Sequence, residues 1–133
     1  PLSNMRKLLL NISAPAQQIR AATLEFEAIN VSIGNFSCVY VNGNYLGRVD
    51  AQKYNGTLAW QKVLFDVPAA WLKQGQNEVN MTSGTTQGCV RTTGDNKEWR
   101  FRNVNLSIVW TDEPASYDRV KSMLVMSDGR WKG

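Results

Sequence analysis

The chain has 133 residues, 43% of them hydrophobic and 20% charged, with no low-complexity run, which suits one domain over residues 1–133 whose core needs no metal or disulfide staple. Fifteen Lys and Arg against eleven Asp and Glu give +4, but they are scattered singly or in pairs such as Arg6-Lys7, Arg100/Arg102 and Arg130/Lys132. A nucleic-acid binder needs a basic stripe, so the charge reads as solubility and no nucleic-acid partner is expected.

In chain order, Lys7–Ile12 is a short apolar run that fits an initial strand, interrupted at Ala14-Pro15-Ala16. Ala21–Ala28 alternates, with Leu24 and Phe26 facing one way and Thr23, Glu25 and Glu27 the other, the period of a strand with one wet face. Val31 and Ile33 continue the apolar pattern up to a loop at Gly34-Asn35. Phe36–Asp50 then reads as a hairpin of strands Cys38–Val41 and Asn44–Val49. Its turn is Asn42-Gly43, because a two-residue type I′ turn needs positive φ at both central positions.

Asp50–Leu58 is polar, turns at Asn55-Gly56 and reads as a loop. Ala59–Val67 alternates again, Trp60, Lys62 and Leu64 against Gln61, Val63 and Phe65. Pro68 suits the start of a single helical turn and Gly75 its end, with Trp71 and Leu72 pinning the turn onto the core. Asn77–Thr82 is a strand with Val79 and Met81 inward. Ser83–Lys97 is the longest irregular stretch, of a length that in compact domains is functional or mobile. Glu98–Trp110 is the longest strand. Its alternation changes phase near Asn103, from Trp99 and Phe101 to Val104, Leu106, Ile108 and Trp110, which predicts a bulge. The tail around Tyr117–Met126 fits a strand or a short helix equally. About eight strands, one helical turn and frequent turn signals describe an all-β, two-sheet sandwich.

The chemistry open to these residues is narrow. Histidine is absent, which excludes Ser-His and Cys-His catalysis and histidine-held metals. Glu25 and Glu27 share one strand face about 7 Å apart by strand geometry, a glycosidase-like separation, yet they read as solvated charges and no enzyme is expected. No cofactor is implied. A structural calcium is open, with oxygens from Glu25, Glu27, Asp95, Asp112 and backbone carbonyls, but no EF-hand-like loop is present. Cys38 and Cys89 are too far apart for a zinc ribbon or redox motif. They are two buried thiols or, if their strands are neighbours, a disulfide contributing about 4 kcal/mol.

Compartment is read from two features. Six N-x-S/T sequons begin at Asn11, Asn30, Asn35, Asn55, Asn80 and Asn105, where 12 Asn with 17 Ser and Thr among 133 residues predict about one or two, so the chain is expected outside the cell and glycosylated. Polar strand faces also create such triplets, and Asn80 and Asn105 fit that origin. No run of about eighteen apolar residues is present, so no membrane span is expected, and no signal-peptide pattern occurs. The chain begins at Pro1, as an excised domain or processed chain would.

Aromatic residues are the informative class: five Trp, four Tyr and four Phe exceed what a small core needs. Trp71, Trp110, Phe26 and Phe65 hold inward positions. Tyr54, Trp60 and Trp99 lie at or beside loop ends, where an exposed ring offers a platform for a sugar face. Asn55, Arg91, Asp95, Asn96 and Arg100 are near in sequence to bond hydroxyls.

VYVNGNYLG, VLFDVPAAWLKQGQNEVNMTS and EWRFRNVNLSIVW together resemble the galactose-binding-domain-like superfamily over roughly Leu24–Val109. The resemblance implies a jelly-roll β-sandwich and, among its functions, a non-catalytic carbohydrate-binding domain with a glycan or polysaccharide partner. Sugar-binding members place an aromatic just before the closing strand, the position of Trp99, and an Asn near that strand's start, matched by Asn103. Tyr54 or Trp60 would be the second platform, with Arg91 and Asp95 bonding hydroxyls. Such members often hold a structural calcium, for which no clear acidic ligand set is seen here. The alternative is a structural, assembly or adhesion domain, of a virion, filament or larger protein, using the same sandwich for protein contacts.

Overall fold

A computed structural model describes residues 5–29, 37–49, 59–82, 100–111, 117–121 and 123–125. Nine strands occur among them: β1 (Met5–Ile12), β2 (Ile19–Ile29), β3 (Cys38–Val41), β4 (Asn44–Arg48), β5 (Gln61–Val67), β6 (Gly75–Thr82), β7 (Arg100–Trp110), β8 (Tyr117–Lys121) and β9 (Met123–Val125). Two 3₁₀ turns, Ala16–Gln18 and Ala69–Trp71, join β1 to β2 and β5 to β6. The second is the helical turn that Pro68 predicts, and Pro68 caps its start. Every strand pairing is antiparallel, in one sheet of order β4-β3-β6-β1-β9 and another of order β5-β2-β7-β8.

The expected alternation decides which faces meet. Leu8, Leu10 and Ile12 of β1, with Val39, Val79 and Met81, line the inner face of the first sheet. Leu24, Phe26, Val63, Phe101, Leu106 and Ile108 line that of the second, and all belong to one buried cluster. Each such aliphatic or aromatic side chain contributes about 1.5–3 kcal/mol on burial. Phe65, Trp71 and Trp110 pack against the cluster half-buried. The arrangement is all-β and sandwich-like.

Two irregularities shape the sheets. Val39 pairs with Gly47 and Tyr40 with Tyr45, leaving Leu46 as an extra residue in β4. A Cβ on Gly47 would come within 2.9 Å of the Phe65 ring, so this glycine lets the β4 and β5 edges approach. The second bulge is the one the phase change predicts. Glu25 faces Asn105 but Glu27 faces Arg102, and Asn103 sits in the left-handed region at φ 55°.

The tail is strand. β8 pairs with β7 in one sheet and β9 with β1 in the other. β8 and β9 therefore belong to different sheets and border one side of the sandwich, the way strands that switch sheets make corners. Backbone groups along β1 and β7 would otherwise lack partners on that side, which favours extended pairing over a short helix.

The two ends of the sheets differ. Short connections at 13–18 and 68–74 hold Ile12, Ile19, Val67 and Gly75 at one end, together with the Asn42-Gly43 turn. Met5, Thr82, Cys38 and Arg48 in one sheet, and Ile29, Arg100 and Gln61 in the other, therefore lie at the opposite end.

Candidate functional site

The polar residues of interest meet at that opposite end, on the outer face of the second sheet. Strand alternation turns Thr23, Glu25 and Glu27 of β2 outward as expected. Glu27 lies between Lys62 of β5 and Arg102 of β7. The bulge aims both Arg102 and Asn103 outward, whereas a regular strand would bury one of them. Arg102 Nε donates to Glu27 Oε1 at 2.8 Å, and Asn103 Nδ2 donates to the same oxygen at 2.7 Å. Asn105 Nδ2 donates to the Asn103 carbonyl at 2.8 Å and braces the bulge.

Trp60, immediately before β5, completes the cluster. The Arg102 guanidinium carbon stands 4.0 Å from the centroid of the half-buried Trp60 ring, a cation–π contact that orients the indole. Lys62 approaches Glu25 at 3.7 Å. The hydrogen bonds from Arg102 and Asn103 hold the Glu27 carboxyl below its ordinary value of 4.5. A carboxylate kept charged in this way is a hydrogen-bond acceptor and a poor proton donor at neutral pH.

Of the residues singled out in the sequence, Trp60 and Asn103 come together here through Arg102 and Glu27. Tyr54, Arg91, Asp95 and Trp99 lie outside the described residues. Their segments join the strands at this end, residues 50–58 between Val49 and Ala59 and residues 83–99 between Thr82 and Arg100. The postulated calcium ligands divide likewise: Glu25 and Glu27 are each ion-paired to a different cation, and Asp95 and Asp112 lie outside the described residues. Among the described residues no group of three or more His, Cys, Asp or Glu comes together that could hold a metal. Nor is any described helix long and apolar enough to cross a membrane.

Sequence reasoning missed three features. Arg102, which links Trp60 to Glu27, appears in the sequence only as half of a basic pair, although its spacing from the predicted bulge was a usable signal. Arg6 is fully buried and interacts within the protein. The alternation Arg6, Leu8, Leu10, Ile12 already places it on the inner face. Finally, a cavity of about 400 Å³ opens at the hairpin end between Leu9, Asn42, Gly43, Lys73, Gln76 and Glu78. Two of its polar walls, Asn42 and Glu78, are already engaged. Asn42 Nδ2 donates to the Trp71 carbonyl and to Asn77 Oδ1, its Oδ1 accepts from Glu78 N, and Glu78 bonds Lys7 and Asn80.

Compared with protein-family models, curated proteins and solved structures, the chain matches none.

Proposed function

We propose that this chain is a non-catalytic, extracellular carbohydrate-binding domain with the jelly-roll architecture of the galactose-binding-domain-like superfamily. The observation that carries the reading is the Trp60–Arg102–Glu27–Asn103 cluster at the end of the sheets where the segments bearing Tyr54, Arg91, Asp95 and Trp99 attach. An oriented indole beside a guanidinium, a carboxylate and an amide is a combination that recognises pyranose rings: an apolar face with few placed polar groups around it. Trp99 and either Trp60 or Tyr54 serve as platforms, and Arg91, Asp95 and Asn103 bond hydroxyls. Glu27, held charged, and Glu25, paired with Lys62, support a binding role over acid–base catalysis.

The same reading pairs Cys38 with Cys89, the only other cysteine. Cys38 is fully buried and is not a free thiol, which supports the bridge and an oxidising compartment. A non-reducing peptide map should yield one linked peptide pair, and two alkylatable thiols in the unfolded protein would refute the pairing.

Titrating a panel of soluble oligosaccharides against tryptophan emission tests the function. At least one glycan should give a saturable change, lost or weakened at least tenfold in Trp99→Ala and Trp60→Ala. An unresponsive wild-type protein, or variants that bind as well as wild type, would sink the reading. Mass measurement in solution separates it from an assembly role, since a discrete oligomer that binds no glycan favours protein contacts.

A further inference from the structure

Three of the six sequons fall on described strands, and each has the same design. The middle residue, Ile12, Met81 or Leu106, points into the core, so the Asn and the hydroxyl residue two positions on share the outer face. Their surroundings differ. Asn80 is buried to 9% exposure, Thr82 beside it to 7%, and Asn80 Nδ2 donates to Glu78 Oε2 at 2.8 Å. Asn105 is half-buried, with Nδ2 donating to the Asn103 carbonyl inside the bulge. Asn11 and Ser13 are both exposed, and the Asn11 side-chain amide makes no hydrogen bond among the described residues. Gln74 Nε2 donates to the Ser13 carbonyl at 2.9 Å, which fixes the sequon's backbone and leaves its side chains free.

We infer that Asn11 is an N-glycan acceptor and that Asn80 and Asn105 are not, an inference that rests on the extracellular reading proposed above. In the transfer, Asn11 Nδ2 bonds to C1 of an oligosaccharide carried on a lipid pyrophosphate. The C1–oxygen bond breaks, the lipid pyrophosphate leaves, and the amide nitrogen gives up one proton. A sugar on Asn11 projects into solvent from the outer face of the first sheet. A sugar on Asn80 would have to occupy space already filled, and it would replace an amide hydrogen beside Glu78, so a chain modified there does not reach this fold. Asn11 also sits next to Ile12 at the hairpin end, away from Trp60, so its glycan leaves the proposed binding site open.

The test is site mapping on the whole chain secreted from a eukaryotic cell line. Enzymatic release of N-glycans in heavy-oxygen water tags each formerly occupied Asn as labelled Asp. The expected result is a tag at Asn11 and none at Asn80 or Asn105. Asn11→Gln should lose the mass of one glycan, with an unchanged melting midpoint and unchanged glycan titration. A bare Asn11 in secreted protein tagged at other sequons would overturn the site assignment alone, as would a tagged Asn80 in protein that melts as wild type. A chain that stays in the cell and carries no tag anywhere would overturn the extracellular reading and this inference with it.

Discussion

The two ends of the sandwich use the same side chains for opposite purposes. At the hairpin end, Asn42 and Asn77 face inward and seal the turns. Asn77 is fully buried, its Oδ1 accepts from Lys73 N and Asn42 Nδ2, and its Nδ2 donates to the Lys73 and Gly75 carbonyls. At the other end, Asn103 stands on the surface, shares Glu27 with Arg102 and leaves the neighbouring indole oriented but accessible. An amide with every group engaged in a buried turn serves stability. The same amide at an exposed bulge offers unengaged capacity to a ligand. The difference between scaffold and candidate site here is one of burial, not of residue type.

Breaking the sealed end should have the largest effect. Asn77→Ala leaves several buried backbone groups without partners, and at roughly 1–3 kcal/mol for each such group the protein should lose about 3 kcal/mol or more. Chemical denaturation should show a lower urea midpoint with an unchanged slope. A loss below the error of the fit would mean the turns are held by other contacts.

Next in size is the bulge. Asn103 adopts φ 55°, which Asn tolerates and a β-branched residue does not. Asn103→Val should therefore cost about 2 kcal/mol, within the range for strained backbone positions. Asn103→Gly should cost much less, because only the hydrogen bond to Glu27 is lost. Equal destabilisation by the two variants would place the effect in that bond instead of the backbone.

Arg102→Ala should cost only about 0.5–1 kcal/mol, the scale of an exposed cation–π contact. The informative readout is optical: tryptophan emission should move to longer wavelength as Trp60 gains water. An unchanged spectrum would mean that Arg102 does not cover the ring in solution.

The smallest effect belongs to Glu27, and its sign is set by pH. Its carboxyl is held below 4.5 by Arg102 and Asn103, so it stabilises the fold at neutral pH. That contribution is lost as pH falls from 4.5 through the lowered folded value, because the unfolded chain then binds the proton more readily. Glu27→Gln should be slightly less stable than wild type near neutrality, and the gap should close in acid. A gap that persists at low pH would show that shape, not charge, matters at this position.

Much of the fold was legible because its signals are local. Period-two alternation in β2, β5 and β7 set which side chains face the core. Asn42-Gly43 set the hairpin, with φ 48° and 83° at its two residues. The apolar phase change located the bulge at Asn103. Of the cluster around Glu27, the residues Trp60, Asn103 and Glu27 stood out in the sequence separately, but Arg102, which joins them, did not. Arg102 and Glu27 are 75 positions apart, and nothing in either segment announces the pairing.

The sequence by itself determined the strands from β1 to β7, their wet and dry faces and the principal turns, since those follow from steric preferences and solvent partition over a few neighbouring residues. Only the tertiary structure decided that the tail divides between two sheets. It also separated the engaged amides of Asn77, Asn80 and Asn105 from that of Asn11, which makes no hydrogen bond among the described residues. Those outcomes depend on which distant strands become neighbours. Alternation tells a polar residue which way to point, and only its neighbours across the sheet decide whether it meets water, a partner or a ligand.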